Sequence, residues 1–263
     1  MRFTYTILVI SLLALFAGCS MNGEVKTVNS LNKIQTEQSE KEKIITHGMA
    51  NIGQEVWAEA VSGEVNSDGV TVVGEPESVQ VIVNKERKLP EGYEPPDLKI
   101  PDVAFQAVNQ ERKHLREPAA LALEKLFEAA EDDGIELVAV SGYRRYETQE
   151  YLYNRSVEVN GKEYADQYSA KPGHSEHQTG LAMDVSAASV AFDLVEAFEE
   201  TPEGQWVAEN AHEHGFVIRY PKGKSDITGY NYEPWHLRYV GQEIATSIHE
   251  QEVTIEKFFG LVE

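Results

Sequence analysis

One cysteine, Cys19, stands in 263 residues. A disulfide framework is therefore excluded. Basic side chains are scarce: 23 Lys and Arg face 44 Asp and Glu, a formal net charge of −21. Phosphate backbones are gripped by Lys and Arg, so nucleic acid is not an expected partner. Such acidity fits a chain kept soluble outside the cell, or simply a well-solvated surface. There are no internal repeats. The one long apolar run, Ile7 to Ala17, is too short for a comfortable membrane span.

That run has the form of an export signal. Arg2 is the only charged side chain before Cys19, and the stretch ends "LFAGC", with small residues directly before the cysteine. This resembles the bacterial lipoprotein signal. It implies cleavage after residue 18, lipid on Cys19 and anchoring at the outer face of the bacterial cell membrane, where two or more acyl chains hold stably. An ordinary secretory signal or an uncleaved anchor is the alternative, and either form is exported. With Cys19 lipidated, no thiol is left as nucleophile or metal ligand.

Residues 19–76 read as a polar tether, "SMNGEVKTVNSLNKIQTEQSEKEK" and onward, with some strand-like alternation near "VWAEAV" and "VTVV". The catalytic domain is expected over 77–250, long enough for one core, and 251–263 is a C-terminal extension. Val79, Val81 and Val83 alternate as in a half-buried strand. "LPEGYEPPDLKIPDV" reads as an extended loop. Leu121, Leu123, Leu126 and Phe127 share helical spacing up to Gly134. "IELVAVSGYR", "FVIRYP" and "HLRYVG" read as strands, and "RYETQEYLYNRSVEVNG" as a helix. Thr201 and Pro202 open another helix that Gly215 closes. Helices and strands segregate without a regular βαβ rhythm. The expected class is α+β, a central antiparallel sheet flanked by helices.

The chemistry gathers in "GHSEHQTGLAMDVS" and "YEPWHLRY". A zinc hydrolase needs three His or carboxylate ligands, an open position for water, and a carboxylate near it to take a proton. His177 and Asp184 would face apart in one helix, but Gly180 breaks regularity, and a loop leading into a strand lets both turn to one point. His236 is a third candidate ligand, with Glu233 three residues before it. Pro234 keeps that segment from being a helix interior. His174 competes with His177. His212 and His214 read as solvated residues at a helix C-terminus.

Taken together, "SGYRRYETQ", "GHSEHQTGLAMD" and "GYNYEPWHLRYVG" resemble the VanY-type zinc D-alanyl-D-alanine carboxypeptidases over about residues 78–245. The pattern S-x-H-x-x-G-x-A-x-D falls on Ser175, His177, Gly180, Ala182 and Asp184, and E-x-x-H on Glu233 and His236. The resemblance implies the small α+β zinc-peptidase fold shared with the Hedgehog signalling domain. It implies Zn2+ held by His177, Asp184 and His236, with Glu233 as base and Arg144 stabilising the oxyanion. Ser175 and Gln149 would hold the substrate's terminal part. Trp235 and Tyr143 would wall the pocket or pack in the core. The implied partner is a peptidoglycan stem peptide losing its C-terminal D-Ala to a monomeric enzyme. An L,D-carboxypeptidase acting on tetrapeptide stems, an endopeptidase, and a silent zinc module that binds cell-wall peptide are the competing readings. Glu233 and Arg144 speak against the last, because binding alone needs no base.

Overall fold

The stretch "AMDVS" is buried along its whole length, and it forms an inner strand. That placement explains why it lacks the alternation of a half-solvated strand. The computed structural model describes residues 54–106 and 109–262. Strands β1 (Glu64–Val65), β2 (Thr71–Val72) and β3 (Arg87–Lys88) make a small sheet, with β1 antiparallel and β3 parallel to β2. β4 (Leu98–Lys99) pairs antiparallel with β5 (Leu115–Arg116). The central sheet holds β6 (Val138–Ser141), β7 (Ala182–Ser186), β8 (Phe216–Tyr220) and β9 (Glu233–Tyr239). Its spatial order is β6-β7-β9-β8, antiparallel throughout. This is the expected α+β class.

The helix Glu117–Asp132 covers the sheet with Ala119, Ala120, Leu123, Leu126 and Ala130. Burying each leucine contributes about 1.5–3 kcal/mol. Leu121, expected on the same face, is 42% exposed. It stands two residues from both Ala119 and Leu123, so it points away from their stripe. The helices Tyr146–Asn160 and Pro202–Asn210 form where they were expected, and Thr201 Oγ1 accepts the Gly204 N–H at 3.0 Å.

Two expectations need correction. Residues 79–83 form no strand, although Val81, Ile82 and Val83 are all buried. Arginines take the carbonyls a ladder would use: Arg238 Nη2 donates to Val79 O and Val81 O, and Arg87 Nε to Ile82 O. The folded part also begins before residue 77 and continues past 250. A helix at Gln54–Val61 sets Trp57 against Phe258 and Phe259, with ring centroids 5.7 and 5.1 Å away. These rings, with Ile82, Val217, Ile244 and Ile248, form a second apolar cluster. The C-terminal stretch is thus part of the core rather than an extension. The signal segment, Cys19 and the tether up to residue 53 lie outside the described residues. Among the described residues, no helix is long and apolar enough to cross a membrane.

Candidate metal centre and active site

Antiparallel pairing does most of the assembly. Asp184 on β7 is directly opposite His236 on β9, and Glu233, at the start of β9, is opposite Tyr220 on β8. His177 arrives from the 3-10 turn Glu176–Thr179, which Gly180 closes in the left-handed conformation, φ 67°, before β7 begins. A Cβ on Gly180 would also crowd the Arg116 and Leu98 side chains at 3.0 and 3.1 Å. One potential ligand atom from each of His177, Asp184 and His236 lies within 4.8 Å of the others, and all three residues are buried.

The ring nitrogens are sorted by their neighbours. His177 Nδ1 lies 2.8 Å from Gly142 O and donates to it, leaving Nε2 as a lone pair 3.5 Å from Asp184 Oδ2. Gly142 must be glycine here, since a Cβ would meet His114 O at 2.5 Å. His236 presents the other nitrogen: its Nδ1 lies 2.9 Å from Asp184 Oδ1, and its Nε2 faces Glu176 Oε2 at 3.5 Å. Burial together with the nearby Arg144 holds His177 down to about 3, so it is neutral. Burial opposes charge on His236, but the Asp184 and Glu176 carboxylates outweigh it and push it up to about 9. Asp184 stays ionised, because the two imidazoles and Arg144 outweigh its burial.

Does this set fit a metal? Asp184 Oδ1 is buried with no hydrogen-bond partner, in spite of its short approach to His236. Two imidazoles and one carboxylate, with an orphaned oxygen between them, are the donor set of a hydrolytic zinc site. The residues fit Zn2+.

The other candidates line the same cavity: Arg144, Gln149, Ser175, Glu233 and Trp235. Burial, reinforced by Asp184, pushes the Glu233 carboxyl up to about 7, and its Oε2 lies 3.8 Å from His236 Nδ1. Arg144 Nη1 donates to Gln149 Oε1 at 2.8 Å, and Gln149 Nε2 donates to Ala170 O at 2.6 Å. Gln149 therefore orients Arg144 as well as lining the cavity. Arg144 Nε is buried and has no partner. Arg145 points elsewhere, to Glu111 at 3.0 Å. Trp235 packs on the core as well as on the cavity, while Tyr143 is buried away from it. His174 is not among the grouped ligands; its Nδ1 lies 2.7 Å from Asn84 O. His212 is not simply solvated but stacks on His249 at 3.8 Å.

Residue-by-residue reading missed Glu176, Tyr220 and Tyr230, which also line the cavity. Glu176 sits between His174 and His177 in sequence, and an acid there looks like a solvated charge. The tyrosines carry no signal of their own in "RYP" and "GYN".

Residues 112–242 match the family described as VanY, D-alanyl-D-alanine carboxypeptidase. YodJ of Bacillus subtilis (strain 168) is 42% identical, over 94% of this chain and 91% of its own. The solved LdcB LD-carboxypeptidase is 46% identical, with a TM-score of 0.73 over 78% of this chain and 96% of its own. A mutant of the vancomycin resistance D,D-pentapeptidase VanY from a VanB-type cassette, solved with Zn(II), is 33% identical, with a TM-score of 0.54 over 68% of this chain and 97% of its own.

Proposed function

We propose, since the chain belongs to the VanY family of D-alanyl-D-alanine carboxypeptidases, that it removes the C-terminal D-Ala from peptidoglycan stem peptides in a zinc-dependent hydrolysis. The observation that carries this reading is the convergence of His177, Asp184, His236 and Glu233 in one cavity beside Arg144. Zn2+, when bound there, acts as a Lewis acid and lowers the pKa of water. The chain supplies the rest. Glu233, kept basic by burial, takes the proton of the attacking water and delivers it to the departing amine as the C–N bond breaks. Arg144, fixed by Gln149, offers donors to the oxygen that becomes negative when the carbonyl is attacked. Ser175, at the N-cap of the turn that carries His177, lines the same cavity, which supports a role in holding the terminal part of the substrate.

The first reading is D,D-cleavage of a stem ending in D-Ala-D-Ala. A second, L,D-cleavage of tetrapeptide stems, is favoured by the likeness to the LdcB LD-carboxypeptidase. Cys19, following "LFAG", would tether the enzyme at the membrane facing its substrate. Mass spectrometry of the products from muropeptides of defined stem length separates the two. Loss of one alanine from pentapeptide stems alone supports the D,D reading. Loss from tetrapeptide stems alone replaces it with the L,D reading, and release of a dipeptide or an internal cut contradicts both.

A further inference from the structure

His236 Nε2 and Glu176 Oε2 are each buried and each without a hydrogen-bond partner, and they face one another at 3.5 Å. The other oxygen of Glu176 is fully committed: Oε1 accepts Arg219 Nε at 2.7 Å and Arg238 Nη1 at 2.9 Å. Arg219 is held from behind by Glu256, whose two carboxylate oxygens accept its Nη1 and Nη2, and Asn84 Nδ2 donates to Glu256 at 3.2 Å. All four charged side chains are 2% exposed or less. Two carboxylates and two guanidiniums balance, so the cluster can stay ionised without water.

We propose that Glu176 is a positioning residue for the metal ligand His236, and that Glu256 in the C-terminal segment is the strut that holds Glu176 in place. This rests on the reading of His177, Asp184 and His236 as a zinc site. Its Oε2, 3.5 Å from His236 Nε2, favours the proton on that nitrogen, and so would leave the Nδ1 lone pair free for a metal held beside Asp184. A carboxylate behind a ligand imidazole also raises its basicity. Arg219 and Arg238 stop Glu176 from turning away, because Oε1 leaving them would take one of two carboxylates from buried Arg219 and the carboxylate partner of buried Arg238. Glu256 restrains Arg219 in the same manner. It lies beyond the 112–242 region that matches the family, as does Asn84 on the other side. The chain ends outside that region therefore reach the metal centre through one buried ionic relay.

The test is zinc affinity by competition with a chromophoric chelator, on the full chain, with the fold verified by circular dichroism. The variants are Glu176→Gln, Glu256→Gln and Phe259→Leu. Phe259 is buried in the same C-terminal segment but belongs to the apolar cluster, so it reports general loosening. Glu176→Gln should weaken zinc binding by about 10- to 100-fold. Glu256→Gln should weaken it less, and Phe259→Leu by no more than about twofold whatever its loss in Tm. If Glu176→Gln does not fold, Glu256→Gln against Phe259→Leu carries the test. The proposal is overturned if the folded glutamate variants bind zinc like the wild type, or if Phe259→Leu weakens zinc as much as Glu256→Gln at equal Tm. A wild-type chain that binds no zinc overturns the metal-site reading itself.

Discussion

Asp184 Oδ1 on β7 lies 2.9 Å from His236 Nδ1 on β9, across a directly opposed residue pair, yet the oxygen makes no hydrogen bond. A buried carboxylate oxygen in that state is costly, and a cation held by these residues would relieve it. Zinc bound only by the folded chain should therefore stabilise it, by about 4 kcal/mol at a thousandfold excess over Kd. For a domain of this size the rise in Tm should be on the order of 10 °C. Calorimetry on chelated and zinc-restored protein measures it. Equal Tm values would mean that the orphaned oxygen is not a ligand.

Arg144 and Gln149 should fail as a pair. Arg144→Ala removes the free donors and should lower kcat by a factor on the order of 10² to 10³ while zinc stays bound. Gln149→Ala leaves Arg144 in place but unaimed and removes the 2.6 Å donor to Ala170 O, so its loss should be smaller. In the double variant the losses should not add. Steady-state rates on a stem peptide give the cycle, and strict additivity would show that Gln149 does not act through Arg144. Arg145→Ala, whose partner is the outlying Glu111, is the comparison.

Trp57 should matter more than its polar surroundings suggest. It is 5% exposed and wedged against Phe258 and Phe259. Trp57→Ala should cost about 3–5 kcal/mol in urea unfolding. A chain started at Glu77 loses the same contacts and should be less stable than one started shortly before Gln54. Equal midpoints would put the helix Gln54–Val61 outside the folding unit.

The parts of the site that could be read from sequence are those whose chemistry is local. His177 with Asp184, and Glu233 with His236, are the proposed ligands and base in short segments that the fold brings to one cavity, and the glycine between the first two marks the change from turn to strand. What could not be read is what becomes meaningful only on burial. Glu176, Glu256, Arg219 and Arg238 look like ordinary surface charge in the sequence, but in the fold they neutralise one another in the dark behind His236. The alternation of Val79, Val81 and Val83 imitates a strand because Val81 and Val83 are buried and Val79 partly so; nothing local says that arginines would take the carbonyls. The boundary read at residue 77 comes too late because one aromatic, Trp57, in a polar stretch can anchor a helix that its composition does not announce.

His174 separates the two histidines of "GHSEH". Its Nδ1 is occupied with Asn84 O, so His174→Ala should lower stability modestly and leave zinc content at that of the wild type. Metal analysis showing loss of zinc in His174→Ala but not in His177→Ala would reverse the assignment.

The division of labour between Glu233 and His236 is the centre of the account, and paired metal content and turnover on two variants test it most directly. Replacing His236 with Ala removes one of three ligands, so zinc and activity should fall together. Replacing Glu233 with Gln keeps shape and ligands but removes the base; zinc should remain at the wild-type level while the rate of D-Ala release falls by a factor on the order of 10² to 10⁴. Loss of zinc in Glu233→Gln, or a rate close to that of the wild type with zinc in place, would contradict it.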